Sequence, residues 1–284
     1  MRFRILLSVA MLVAGSGVMT TGLVGGPTIA SADPTYAPIC GSDEATTATA
    51  LSGNYYNLTV HGNAYVDNDA TLTVTGNLDV APGACLDAFS MGTVHVRGNV
   101  RVGKGATLAL GCAPGSNGPP PMEPCETSDG VPASADDTVG SNIIANQPLT
   151  MYLTAVTVGG NVISTGGGFS TPGLNFPIKN MNITGSLVVR DWQGGQGAWF
   201  GVLRSQVGGN MILTGDSGFR PGDGGIPNDS TEVVGNTVGG NLICWGNTPA
   251  ALYGDAYGTP GNGPNTVGGT AIGECADLTI PLPS

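Results

Sequence analysis

The sequence predicts an all-β protein: a right-handed parallel β-helix (β-solenoid) with a Pro/Gly-rich loop insertion and disulfide-tied ends. The first observation is a short unit (apolar residue, any residue, glycine, usually asparagine, apolar residue) that recurs eight times, as expected of a stacked repeat fold. Its copies begin at Val60, Val74, Val96, Val158, Ile183, Val207, Val238 and Val267. The second is composition, because 48 glycines and 20 prolines in 284 residues would interrupt helices. The third is the alternation of apolar residues from Ala70 to Thr75, the period of a half-buried strand.

Residues 1–32 are expected to be a signal peptide rather than part of the fold. The basic start MRFR precedes the apolar run ILLSVAMLVA, which is too short to span a bilayer. Ala30-Ser31-Ala32 supplies small residues for cleavage, and glycines and a proline in the segment argue against an uncleaved anchor. The predicted mature chain begins at Asp33 and is secreted, extracellular or associated with the cell wall.

The charge of the mature chain excludes several partners. Cleavage would remove two of the nine basic residues and none of the twenty acidic ones, giving a net charge of −13. An acidic surface repels nucleic acid and anionic lipid. We therefore expect no nucleic-acid partner and no membrane contact after signal cleavage. Cell-wall glycan and another envelope protein stay open as partners.

The cysteines predict disulfides rather than a metal site. All six follow the signal peptide, none forms CxxC, and the chain has only two histidines, so no metal and no cofactor is expected. Six cysteines allow 15 pairings. The hypothesis is Cys40 with Cys85, Cys112 with Cys125 across a Pro-rich loop, and Cys244 with Cys275.

Taken in order, the predicted elements form one solenoid with two ends. Three related turns, VDNDATL, VAPGACL and VGKGATL, alternate with the first glycine units and indicate regular rungs. A long gap before Val158 contains a Pro/Gly-rich stretch and an additional rung near Ser141 to Thr154. The assigned ranges are an N-terminal cap (33–56), first rungs (57–112), a loop insertion (113–140), C-terminal rungs (141–250) and a C-terminal cap (251–284).

The glycine units are interpreted as bends that need left-handed backbone, which glycine and asparagine tolerate best. Stacked asparagines can also form a ladder of side-chain amide bonds. The simpler interpretation, favoured here, is that each asparagine is a good turn residue.

The position two residues after the asparagine separates the two halves of the chain. By alternation it points outward, and it is polar in the first three copies and β-branched in the later ones. Its occupants are Tyr65, Asp79 and Arg101, then Ile163, Val188, Ile212, Ile243 and Ile272. An exposed β-branched row is unusual in a monomer. Either the C-terminal loops or another chain should cover it, and a homo-oligomer through this C-terminal apolar face is the second option.

Three places are weighed as sites of chemistry. Catalytic candidates are Asp191, Asp229 and Glu232, because paired carboxylates carry out glycoside hydrolysis. Ligand-binding candidates are Trp192, Trp199 and Gln193, because sugars stack on aromatic rings. The simpler interpretations, that the rings cover the apolar face and that the acids lie in a solvated turn, are favoured. Arg97, Arg101 and Lys104 could bind an anionic polymer, but the simpler explanation is that they are scattered surface cations. Both histidines are likewise interpreted as ordinary surface residues.

The segment from Asp229 to Cys275 contains GGNLICWGNTPA, a Gly-Asp turn and PNTVGGTAIGEC. It resembles a family of uncharacterised exported actinobacterial proteins with a GGNLxCxxNxPA element followed by PNxVxGxxxGxC. The resemblance covers about the last third of the chain and implies export, a repeat fold and an envelope setting, without an activity. The N-terminal half is similar in style to bactofilin and autotransporter β-helix rungs.

Two functions are expected from these observations. The first is a secreted non-enzymatic β-helix protein with a structural or binding role at the bacterial cell envelope. The alternative is a carbohydrate-binding or polysaccharide-degrading β-helix. An enzyme would bring two candidate acids into one groove within about 10 Å of each other, whereas a scaffold would leave them dispersed.

Overall fold

Every regular element in the described part of the chain is a β-strand. The computed structural model describes residue 40 and residues 48–67, 70–89, 92–111, 137–221, 228–258 and 261–282. The predicted parallel β-helix is confirmed, because the strands form three long parallel sheets and a small two-stranded one. The predicted signal peptide and the proposed pair Cys112 with Cys125 lie outside the described residues.

Each turn of the solenoid passes through sheet 2, then sheet 3, then sheet 1, with strands numbered in chain order. Sheet 1 contains β1 (Thr49–Ala50), β4 (Asn63–Tyr65), β7 (Cys85–Phe89), β10 (Thr107–Gly111), β13 (Thr150–Thr154), β16 (Asn175–Lys179), β20 (Trp199–Leu203) and β24 (Glu232–Val234). Sheet 2 contains β2 (Gly53–Tyr55), β5 (Thr71–Val74), β8 (Thr93–Val96), β11 (Thr138–Val139), β14 (Thr157–Val158), β17 (Asn182–Ile183), β21 (Gln206–Val207), β25 (Thr237–Val238) and β27 (Thr266–Val267). Sheet 3 contains β3 (Leu58–Val60), β6 (Leu78–Val80), β9 (Val100–Val102), β12 (Ile143–Asn146), β15 (Val162–Thr165), β18 (Leu187–Arg190), β22 (Met211–Thr214), β26 (Leu242–Trp245) and β28 (Ala271–Gly273). The small sheet pairs β19 (Gln193–Gln196) with β23 (Ser217–Phe219).

The core is a continuous apolar column inside the three sheets. Alternation along each strand turns every second side chain inward, and in-register parallel pairing stacks equivalent side chains from rung to rung. In sheet 3 the first inward position is fully buried in eight consecutive rungs, by Leu58, Leu78, Val100, Ile143, Val162, Leu187, Met211 and Leu242. The prediction that the residue after the asparagine faces the interior is confirmed for these rungs.

The glycine-asparagine units mark the corner between sheets 2 and 3, with one correction. The first copy, beginning at Val60, instead joins β3 of sheet 3 to β4 of sheet 1, so Tyr65 does not belong to the outward row. Asn57 occupies the equivalent corner of that rung, and Thr59 takes the row position. The additional rung expected near Ser141 exists, and its corner residue is Asn142.

The corner asparagines form a ladder, which corrects the simpler turn-residue interpretation. The Asn99 side-chain oxygen accepts from the backbone N–H of Asn142 at 3.2 Å and from its side-chain amide at 3.0 Å. The same backbone bond recurs in every successive rung. In order, the side chains that accept it belong to Asn57, Asn77, Asn99, Asn142, Asn161, Ser186, Asn210 and Asn241, and the last donor is Thr270. Each of these backbone N–H groups at the corner thereby has a hydrogen-bond acceptor.

This ladder explains the corner glycines better than backbone handedness does. At Gly240 an added Cβ would lie 2.5 Å from the Asn210 Oδ1, so no side chain fits there. Neither this glycine nor Asn241 has a positive φ. Left-handed residues occur at the other two corners instead, for example Asp191 after sheet 3 and Asn180 after sheet 1. The predicted left-handed bend was therefore assigned to the wrong corner.

Both described disulfides have the predicted partners and lie toward the two ends. Cys40 pairs with Cys85 on sheet 1, and Cys244 of β26 pairs with Cys275. The rungs begin earlier than the assigned range, because β1 and β2 fall inside the predicted N-terminal cap. The predicted loop insertion also ends earlier, at β11, which is already a rung strand.

Candidate functional site

Three carboxylates meet on the outer side of sheet 1 near the C-terminal end. Asp229 lies in the turn that leads into β24, Glu232 is the first residue of that strand, and Asp255 lies on the segment that follows the last long rung. One oxygen from each lies within 4.8 Å of the others. Two of the three sequence-predicted acids are therefore brought together, by one short turn.

Backbone amides and an indole hold this cluster in place. The Asp255 N–H donates to Asp229 Oδ1 at 2.9 Å, and the Ala256 N–H donates to Glu232 Oε1 at 3.2 Å. The Trp199 Nε1–H donates to Glu232 Oε2 at 2.7 Å. Gly254 completes the cradle, since its φ is +69° and an added Cβ would overlap the Glu232 carboxylate.

The electrostatics of the cluster favour bound protons. Burial, together with the charge of Asp229, raises the pKa of Glu232 to about 8, although bonds from Ala256 and Trp199 oppose the shift. Burial and the neighbouring Asp255 also raise the pKa of Asp229. Carboxylates packed this closely cannot all ionise unless a cation joins them. On the Trp199 ring, the Lys179 ammonium makes a cation–π contact, with its Nζ 4.6 Å from the ring centre.

Chemically, the cluster can hold a shared proton, and its three oxygens are the kind of ligands that a divalent cation takes. Its burial limits what else it can do. Asp255 is exposed, but Asp229 is only 3% exposed and Glu232 2%, so a sugar ring cannot contact both carboxyl groups of that pair, as hydrolysis requires. The visible effect of the cluster is to fasten residues 252–256 over sheet 1, helped by the bridge between Glu232 and Leu252.

The remaining predicted site residues fall in different environments. Trp192 is fully buried in the core, against Phe176 and Phe200, and donates its indole N–H to the Leu149 carbonyl. It therefore neither binds from the surface nor covers an outer face. Asp191 is exposed at a left-handed corner after sheet 3, in a different part of the rung from the acid cluster.

Trp199 covers an outer face, but of sheet 1 rather than sheet 3. Its ring lies over Gly201, where an added Cβ would be 2.4 Å away, and points toward Glu232. Gln193 is exposed on the small sheet and is bonded at both ends of its amide.

A second buried carboxylate, Asp216, lies at the corner after sheet 3. Its Oδ1 accepts from the Trp192 N–H, and its own N–H donates to Asn247, which in turn bonds Glu274 of the next rung. Burial is the main cause that raises the pKa of Asp216 to about 8. Asp216 was not predicted as a site residue, because nothing in its local sequence distinguishes it from other acids in turns.

The three basic candidates do not form one patch. Arg97 lies at the corner before sheet 3, Arg101 lies on β9 and forms an exposed ion pair with Asp79 at 3.3 Å, and Lys104 lies in the next turn. Because they are spread over three parts of a rung, they form no continuous basic surface that could bind a polymer.

The outer face of sheet 3 carries the predicted β-branched row. In-register pairs align it across six consecutive strands, and every member is half-buried or exposed. The row is Ile144, Ile163, Val188, Ile212, Ile243 and Ile272. The C-terminal segment, one of the two covers expected from the sequence, lies instead against sheet 1, through Leu252 and Tyr253. Within the described residues, this face is open.

Sequence reasoning missed several residues of these surfaces. Asp255 joins the cluster from 26 residues away in sequence, so only the fold reveals it. Phe219, on the small sheet, and Phe169, on the preceding rung, are exposed rings, at 41% and 49%. A signal was available for them, since each follows a glycine in a segment too polar to form core.

Comparisons of the whole chain gave no relative: no protein-family model, no curated protein and no solved structure matches it. Among the described residues, no helix has the length and apolar character required to cross a membrane.

Proposed function

We propose that the chain is an exported, non-enzymatic β-helix protein with a structural role at the bacterial cell envelope, where it associates side by side with further copies of itself. The observation that carries this proposal is the open β-branched row on sheet 3. The two described disulfides support the export half of the proposal, since such bonds persist in oxidising compartments.

A second copy suits this face because of its charge. The chain as a whole has a net charge of −11, so most of its surface repels another copy. On the outer face of sheet 3 the described charges are few: Asp79 and Arg101 neutralise each other, and Arg190 lies in the neighbouring outward row. Like-charge repulsion is therefore weakest where the apolar area is greatest.

The size of the row sets the strength of the association. Six strands spaced about 4.8 Å apart span about 24 Å, and a four-residue strand is about 13 Å long. The resulting patch of about 300 Å² per copy is well below the roughly 800 Å² per partner of a stable complex. We therefore expect weak contacts that become effective when many copies are held close together, as on an envelope surface.

The polysaccharide-degrading alternative is supported only by the meeting of Asp229 and Glu232. Their burial and their bonds to backbone amides argue against it, because a hydrolase must place both carboxyl groups against a sugar. The same contacts fit a structural role, in which the acids fasten the C-terminal segment.

Sedimentation velocity of the disulfide-bonded mature protein over a wide concentration range tests the proposal. Wild type should show a sedimentation coefficient that rises with concentration. The substitution Ile212→Lys, in the centre of the row, should abolish the rise. Its matched control is Thr157→Lys, on the outward position of sheet 2, which should behave as wild type.

Two results would overturn the proposal. One is a wild-type protein that stays monomeric at millimolar concentration, and the other is equal self-association in the Ile212→Lys variant. Fractionation of the producing bacterium tests the location, since recovery of the protein in the cytoplasm would contradict export.

A further inference from the structure

The small sheet, β19 with β23, forms a fourth surface between sheets 3 and 1. It is an addition to the three long sheets that enclose the core. Its strands pair in parallel with a register shift, so that Gln193 lies beside Ser217 and Gln196 beside Phe219. The next rung adds Thr248, which bridges to Ser217. Of the glycines between these residues, Gly194 faces inward, since an added Cβ would contact Trp192, whereas at Gly195 an added Cβ would meet the Ser170 carbonyl of the preceding rung. The outward side is therefore composed of amides, hydroxyls and a ring.

Two exposed phenylalanines flank these amides. Phe219 lies on the small sheet itself, and Phe169 lies on the preceding rung, where the Ser170 N–H bonds the Gln193 carbonyl. Their exposure is not needed for folding, since a buried ring would stabilise the core more than an exposed one. The rings therefore give the surface two apolar platforms on either side of the polar groups.

The backbone at Phe169 is strained in a way that holds its ring outward. Phe169 and Ser170 have φ values of 52° and 55°, and the Thr171 N–H closes the turn by bonding the Gly168 carbonyl. Two consecutive left-handed residues are typical of a type I′ turn, which favours asparagine and glycine at these places. A bulky residue there is an outlier that costs free energy, and such outliers cluster at ligand sites.

The polar groups are pre-positioned and keep unused bonding capacity. The Gln193 amide donates to the Gly215 carbonyl at 2.7 Å and accepts from the Ser217 hydroxyl at 2.9 Å. This fixes its orientation and leaves one N–H and one lone pair for a ligand. The Gln196 side-chain amide makes no bond to any described part of the chain and adds two donors and an acceptor.

These features select a class of ligand. Aromatic rings stack on the C–H faces of pyranose rings, while amides and hydroxyls bond sugar hydroxyls. None of the outward side chains of the small sheet is charged, and the net charge of −11 opposes a polyanion. We infer that the outer face of the small sheet, from Phe169 across Gln193 and Gln196 to Phe219, binds an uncharged glycan. This inference rests on the proposed envelope role, for which it names a ligand.

The test is a neutral-glycan array probed with the disulfide-bonded mature protein, followed by isothermal titration calorimetry with the strongest soluble oligosaccharide hit. We expect binding of at least one uncharged glycan and none of polygalacturonate. Phe219→Ala and Phe169→Ala should each weaken binding at least tenfold, and Gln196→Ala about threefold or more. The matched controls Tyr56→Ala and Trp245→Ala remove exposed rings elsewhere and should leave the affinity unchanged.

A wild-type protein that binds no neutral glycan would overturn the inference, and so would binding that survives both phenylalanine substitutions. The two proposals fail separately. Phe219→Ala should retain the concentration-dependent sedimentation of wild type, and Ile212→Lys should retain glycan binding. Because every substituted side chain is on the surface, circular dichroism should verify an unchanged fold in each variant.

Discussion

At the scale of single residues, the buried acids decide how the C-terminal segment is held. Asp229 and Glu232 were candidates from sequence because these two acids lie three positions apart, directly before a repeat. Their actual neighbours, Trp199 and Asp255, come from other rungs, and no local pattern links them. The sequence could thus predict the pair but not its burial, which depends on residues 252–256 folding back over sheet 1.

The stability of the protein should fall as the pH rises through the neutral range. The pKa of Glu232 is raised from an ordinary 4.5 to about 8, so the folded state retains a proton that the unfolded state has lost. Between these two values each such group lowers the free energy of unfolding by up to about 1.4 kcal/mol per pH unit. Urea unfolding at pH 5, 6.5 and 8 measures the slope.

Glu232→Gln should reduce that slope, because a neutral amide imitates the protonated acid. Asp216→Asn should reduce it for the same reason, since its pKa is also raised to about 8. Wild-type stability that does not fall from pH 5 to pH 8 would contradict the raised pKa values of these two carboxyl groups.

At the scale of the repeated element, the corner between sheets 2 and 3 explains why the sequence repeats at all. Glycine and asparagine are coupled across rungs: the asparagine of one rung occupies the space above the glycine of the next. A bend was predicted correctly at this corner, but it was attributed to left-handed backbone. The true reason is a contact between rungs, which the sequence of one rung cannot show. The alternation rule, which needs no such contact, predicted the outward row of sheet 3 correctly.

Substitution of one corner glycine should therefore destabilise the solenoid. In Gly240→Ala the added methyl would lie 2.5 Å from the Asn210 Oδ1 and force that side chain out of its bond to Asn241. We expect a loss of about 1 to 3 kcal/mol in the free energy of unfolding. Gly263→Ala is the matched control, since an added Cβ there has nothing within 4 Å. Equal urea midpoints for the two variants would refute the steric explanation.

At the scale of the whole molecule, the fold behaves as a linear array in which each rung contacts its neighbours. Stability in such arrays is the sum of rung and interface contributions, and the ends are the places where fraying starts. The array and both described disulfides were predictable, because periodicity, the outward position of Cys85 and the place of Cys244 and Cys275 near the C-terminus are visible in one dimension. Which outer face the C-terminal segment would cover was not predictable from the sequence.

Removal of the C-terminal disulfide should loosen that end selectively. In the double variant Cys244→Ala/Cys275→Ala, the lost link closes a separation of 31 residues, and we expect a cost of about 3 to 4 kcal/mol. Hydrogen exchange should accelerate first in β26 and β28 and last in β5 and β6. A uniform acceleration along the chain would instead indicate a single cooperative unit.

The asparagine ladder makes the corner of one rung much like the corner of the next. Because each corner presents to the next rung the same acceptor that it meets in the previous one, the interface between two rungs is nearly independent of position. A duplicated or deleted rung would therefore leave both ends intact and change the length by one strand spacing, about 4.8 Å. The number of rungs therefore determines the distance between the two ends of the molecule, and duplication of one repeat in the gene would lengthen it by one strand spacing.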